Sequence, residues 1–131
     1  MGRRLFQSER NATLLIDVLR SCVVEKKFQL HDFVIMPDHV HLLVTVHEQM
    51  TIEKAMQLVK GRFSFRVKKE LGYLGEVWQT GFSEVRADSD ESMEGYRNYI
   101  AQNPVKAGLA KEPGQYPYCF SFLAKKKAGR G

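Results

Sequence analysis

Three features of the sequence predict an α+β fold. Two stretches carry apolar residues at helical spacing, a pair of short apolar runs joined by a proline-aspartate corner lies between them, and glycines separate this unit from a third helical stretch. At 131 residues the chain suits a single domain, with residues 123–131 as a basic, frayed tail.

The first helix is predicted over residues 9–26. Ser8 stands ready to cap it, and Leu14, Leu15, Val18, Leu19, Cys22 and Val23 recur on one face. Residues 28–36 then read as an extended run. Met36-Pro37-Asp38-His39 suits a tight turn, because proline presets the first corner angle and aspartate favours turns. The returning strand holds His39-Val40-His41. Strand alternation puts His39, His41, Leu43 and Thr45 on one face and Val40, Leu42, Val44 and Val46 on the other, an apolar row that calls for packed helices. Two imidazoles roughly 6.5–7 Å apart along a strand can grip one cation. Taken alone, a His-x-His pair on a solvated sheet surface is the plainer reading. His31 and His47 lie outside this spacing and read as structural or solvated, and Asp38 as a turn residue.

Thr51 is the expected cap of a second helix, residues 52–71, although Lys54 stands where a glutamate would complete a capping box. Ile52, Ala55, Met56, Val59 and Phe63 face inward. Lys60, Arg62, Arg66 and Lys69 form a basic stripe with Phe63 and Phe65 interleaved, which suits a DNA backbone and stacked bases as well as it suits an ordinary solvated face. Beyond Gly72 and Gly75, residues 76–86 read as one or two short strands interrupted by Gly81, with Trp78 in the core. Asp88 and Glu91 have the spacing of a cap for a third helix, on which Tyr96, Tyr99 and Asn103 share a face. Pro104 is expected to end or kink that helix at Asn103, with one further turn closed by Gly108. Residues 116–122 are expected to pack back on the body of the protein.

A net charge of +5 and a pI near 9.3 favour a polyanionic partner. No apolar run approaches 18 residues and the start turns polar at once, so neither a membrane span nor a signal peptide is expected and the chain reads as cytoplasmic. Cys22 and Cys119 show no metal or redox spacing and read as reduced thiols.

The residues that can carry chemistry are few. A tyrosine hydroxyl, with a pKa near 10, is a poor nucleophile at neutral pH, but attack on a phosphodiester becomes feasible where a metal withdraws charge from the phosphate. His39, His41 and the amide oxygen of Asn103 can hold such a metal. Tyr99 precedes Asn103 by one helical turn, so one docked helix would present both. Tyr96 shares the face and is the rival nucleophile.

Pro37-Asp38-His39-Val40-His41-Leu42-Leu43 and Tyr99-Ile100-Ala101-Gln102-Asn103-Pro104-Val105-Lys106-Ala107-Gly108-Leu109 closely resemble the two signatures of the single-tyrosine HUH transposases, especially the branch associated with repetitive extragenic palindromes. Trp78-Gln79-Thr80-Gly81-Phe82 resembles that branch too, and the similarity runs from about Leu5 to Phe122. The resemblance implies a ferredoxin-like antiparallel sheet with helices packed on it. It implies a divalent-metal endonuclease, using Mg²⁺ or Mn²⁺, that nicks and rejoins single-stranded or hairpin DNA through a covalent 5′-phosphotyrosine. Tyr99 would be the nucleophile and His39, His41 and Asn103 the metal ligands; both monomer and homodimer stay open, and action would be at the nucleoid. The family begins with a strand before the first helix, whereas Arg3-Arg4-Leu5-Phe6 runs almost directly into Ser8, so that strand is expected to be missing or very short. An inactive hairpin-binding module derived from such an enzyme is the alternative, and a metallohydrolase of small phosphoesters a weaker one.

Overall fold

The computed structural model describes residues 5–73, 77, 82–86 and 90–123. Three helices, α1 (Glu9–Val24), α2 (Ile52–Leu71) and α3 (Asp90–Lys106), pack around a sheet of β1 (Gln29–Ile35), β2 (Val40–Thr45) and β3 (Phe82–Arg86), in the order β1-β2-β3. The α+β class is as the sequence predicts.

Both expected caps form. The Ser8 hydroxyl accepts from the Asn11 N–H at 3.4 Å, and the Thr51 hydroxyl accepts from the Lys54 N–H at 3.1 Å, each relieving an N–H that the first helical turn leaves without a partner. Helix α2 has the expected bounds, but α1 stops two residues short of residue 26. Lys26 takes a left-handed conformation, φ 60°, and the Lys27 N–H reaches back to the Cys22 carbonyl at 2.9 Å, which turns the chain out of the helix. Gly72 ends α2 at φ 65°. A Cβ built there meets nothing within 4 Å, so the strain of Gly72→Ala is purely conformational. That variant should lose about 1 kcal/mol in urea unfolding, the cost of a left-handed alanine.

The hairpin pairs antiparallel, Val34 opposite His41 and Ile35 opposite Val40, with a bulge between Leu30 and Asp32. Met36 N–H closes the Pro37-Asp38 corner on the His39 carbonyl at 2.8 Å. Strand β3 joins the other edge of β2 in parallel, Val40 opposite Phe82. The sheet of the described residues is therefore mixed, the expected antiparallel hairpin with a parallel neighbour. The physical reason is the crossover through α2, which returns the chain to the sheet in its original direction. This pairing also answers the expected shortage of a first strand. Among the described residues no strand precedes α1: Leu5–Gln7 is a 3-10 turn, its Phe6 N–H bonded to the Pro37 carbonyl at 2.9 Å. The open edge of β2 is covered by β3 instead.

Each sheet face has its own core. Val40, Leu42 and Val44 pack with the inner faces of α1 and α2, where Phe6 and Phe63 meet at 5.4 Å between ring centroids. Val34, Met36 and Leu43 pack with Ile100 of α3 and with Tyr116 and Cys119. The latter segment returns to the outer edge of β1, where Cys119 bridges Val34 and the Tyr116 hydroxyl donates to the Ile35 carbonyl at 2.7 Å. Both cysteines are buried free thiols. Helix α3 does not end at Asn103. It runs through Pro104 to Lys106, because a proline in the last turn removes a single helical hydrogen bond while Ala107 and Leu109 N–H groups still close on Asn103 and Pro104. Gly108, φ 76°, then turns the chain as expected. The proposed cap at Asp88, the core role of Trp78, the break at Gly81 and the basic tail beyond residue 123 fall outside the described residues.

Candidate active site

His41 projects from β2 toward α3, on the face that also holds the buried Leu43, and His39 stands at the mouth of the hairpin turn two residues earlier. Their rings meet edge to face at 4.8 Å between centroids. Across from them, one face of α3 delivers Tyr96 and Tyr99, stacked at 5.6 Å and 25°. The Tyr99 ring lies 5.4 Å from that of His41 and is 49% exposed, open to a substrate. One turn further on, the side-chain amide of Asn103 donates to the Tyr99 carbonyl at 3.4 Å, which leaves its oxygen as the atom able to ligate. The structure thus brings Tyr99 into ring contact with His41 and sets Asn103 one turn along the same helix.

Burial keeps His41 uncharged. His41 is 7% exposed, and burial, with a smaller contribution from neighbouring His39, pushes its pKa down to about 4. At neutral pH it is an uncharged imidazole with a lone pair to give. His39 Nδ1 lies 2.7 Å from the Asp38 carboxylate. A carboxylate only accepts, so Nδ1 carries a hydrogen and donates it to Asp38, the kind of partner that orients metal-binding histidines. Asp38 therefore does more than shape the turn, a role that its position beside His39 hinted at and the turn chemistry obscured. The donor set, two imidazoles and an amide oxygen, fits Mn²⁺ and also Mg²⁺. Among the described residues no three His, Cys, Asp or Glu side chains gather at one point.

The basic stripe is placed elsewhere. Helix α2 packs against Val40, Leu42 and Val44, on the sheet face opposite His41. Its Arg62 grips Glu25 at 2.7 and 3.0 Å and the Ser21 hydroxyl at 3.0 Å. Arg66 bonds Asp17 at 2.8 Å and also pairs with Glu70. Both guanidinium groups tie α2 to α1, so the sequence stripe is largely an interhelical seam. Lys69 keeps to the outer side, its ammonium 5.4 Å from the ring centre of exposed Phe65, and Lys60 is half-buried. His31 bonds the Thr45 hydroxyl at 2.8 Å and His47 accepts from the Gln49 N–H at 3.2 Å, structural roles for both.

A hairpin bearing two histidines with a tyrosine helix laid across it defines a candidate tyrosine nucleophile centre. The sequence model of the family described as IS200-like transposase matches residues 2–103, and the chain belongs to that family. A Haemophilus influenzae protein bearing the name REP-associated tyrosine transposase is 28% identical over 94 residues, 64% of this chain and 53% of its own length. The REP-associated tyrosine transposase of Escherichia coli K12 is 24% identical over 111 residues, 81% of this chain and 64% of its own length. The chain spans about half to two-thirds of these curated relatives. No solved structure matches it. Among the described residues, no helix is long and apolar enough to cross a membrane.

Proposed function

We propose that the chain is a divalent-metal-dependent nuclease that nicks and rejoins single-stranded DNA beside hairpins, with Tyr99 as nucleophile. The observation that carries this is the exposed Tyr99 ring set 5.4 Å from buried His41, beside the edge-to-face pair that His41 makes with His39, in a family of transposases. When bound by His39, His41 and Asn103, Mg²⁺ or Mn²⁺ would withdraw charge from the scissile phosphate. Tyr99 Oη forms the new bond to phosphorus and gives its phenol proton to solvent, while the bond to the departing 3′ oxygen breaks and that oxygen takes up a proton from solvent. The products are a 5′-phosphotyrosine and a strand with a 3′-OH. Reversal by a 3′-OH restores the phosphodiester and frees Tyr99, so nicking and joining use the same atoms. Stacking of Tyr99 on Tyr96 limits the ring's rotation and holds the hydroxyl for attack.

Action of this kind would take place in the cytoplasm at the nucleoid. The net charge of +5 agrees with a DNA partner. In this reading Lys69 and Lys60 contact the backbone on the far face of the sheet, and Arg62 and Arg66 join only by leaving their carboxylate partners. The test is an SDS-stable adduct assay, with the chain, Mn²⁺ and a pool of labelled single-stranded hairpins, beside a chelator control. A labelled protein band that needs Mn²⁺ is the expected result. Salt-sensitive hairpin binding without any band would reject the enzyme in favour of a binding module.

A further inference from the structure

The hydroxyl of Tyr96 lies 3.2 Å from Nδ1 of His41. We propose that Tyr96 is a positioning residue: its phenol oxygen accepts the Nδ1 hydrogen of His41 and so holds the tautomer whose Nε2 lone pair faces the site. This rests on the reading of His41 as a metal ligand given above.

A neutral imidazole has one N–H and one lone pair, and its neighbours decide which nitrogen carries which. For His39 that neighbour is Asp38, on the same strand end. For His41, buried under α3 where water is scarce, it is Tyr96, reached from another element altogether. The two ring nitrogens point to different sides of the imidazole. A hydroxyl engaged at Nδ1 leaves Nε2 as the nitrogen that would hold a metal ion, and gives Tyr96 an outer role. The Tyr96 ring also stacks on Tyr99 at 5.6 Å. One residue thus touches a ligand through its hydroxyl and the nucleophile through its face.

Tyr96→Phe separates these contacts, since it deletes the hydroxyl and keeps the ring, while Tyr96→Leu deletes both. Two readouts follow in the full chain. The first is the ¹⁵N tautomer pattern of His41 by NMR without metal, where the wild type should show the Nδ1–H form and Tyr96→Phe a shift toward the Nε2–H form. The second is Mn²⁺ affinity by calorimetry, which should fall about 10-fold or more in Tyr96→Phe, the usual loss when the outer partner of a ligating histidine is removed. The same His41 tautomer pattern in both proteins would overturn the proposal, and so would equal Mn²⁺ affinity. Should the wild type bind no Mn²⁺, the metal reading itself fails, and the tautomer pattern still decides the role of Tyr96.

Discussion

Tyr99→Phe should abolish the covalent DNA adduct, lowering its rate of formation by at least about 10³-fold, the scale on which removing a nucleophile acts, while hairpin binding and Mn²⁺ affinity stay within about twofold of wild type. The substitution deletes one oxygen from a half-exposed ring and leaves the faces that pack on His41 and Tyr96. Its effect on folding should lie within about 0.5 kcal/mol, as for surface changes that break no cap or core contact. Gel analysis of the adduct beside a thermal melt checks both halves. An adduct that persists in Tyr99→Phe would mean another nucleophile. If cleavage continued without any adduct, water would be the nucleophile and the phosphoesterase reading would return.

Two buried groups should give the metal-free protein opposing pH dependences that nearly cancel. His41 is held down to about 4 by burial and by His39, below the roughly 6.5 of an unfolded histidine. The unfolded chain then binds more protons, so this contribution is present above about pH 6.5 and is lost as pH falls through 4. Asp32, on the β1 bulge, is pushed up to about 6 by burial, against the Phe33 N–H bond and the charge of Arg97, which pull the other way. Here the folded chain binds more protons, so the contribution is present below about pH 4 and is lost as pH rises through 6. Each is worth on the order of 2–3 kcal/mol over nearly the same window. Wild-type stability should therefore be almost flat from pH 6.5 to 4. Asp32→Asn keeps an oxygen for the Phe33 N–H, which now bonds Asp32 at 2.8 Å, and removes the rising limb. That variant should gain about 1–2 kcal/mol at pH 7.5, since a charge no longer has to be buried, and then lose stability steeply below pH 6.5. Urea titrations at four pH values would show it, and a flat profile in Asp32→Asn would contradict the burial of His41.

The helices were largely legible because their determinants are local. Ser8 and Thr51 cap through side chains three residues from the N–H they bind, and the apolar face of α2 is set by spacing alone. The hairpin was legible for the same reason, since the Pro37-Asp38 corner sets where the chain turns back, and the His39 and His41 rings do meet on one side of it. Misreadings came where distant parts of the chain compete. Arg62 and Arg66 look like a free basic stripe until Glu25 and Asp17 of α1 are brought against them. At Pro104 the cause is local: an end or kink with one further turn was expected, and because a proline near the last turn costs only one hydrogen bond, α3 itself continues to Lys106.

The sequence by itself determined the local order of the candidate residues: His39 and His41 flanking Val40 so that their rings share a side, and Tyr99 one turn before Asn103. Strand alternation and helical periodicity are properties of a few consecutive residues, so no knowledge of the fold was required. Only the tertiary structure decided that β3 pairs parallel with β2, that α2 lies on the far face from the site, and that Tyr96 reaches His41 across 55 positions of sequence. Those are choices between surfaces that can bury one another, and they depend on how whole helices and the sheet pack together.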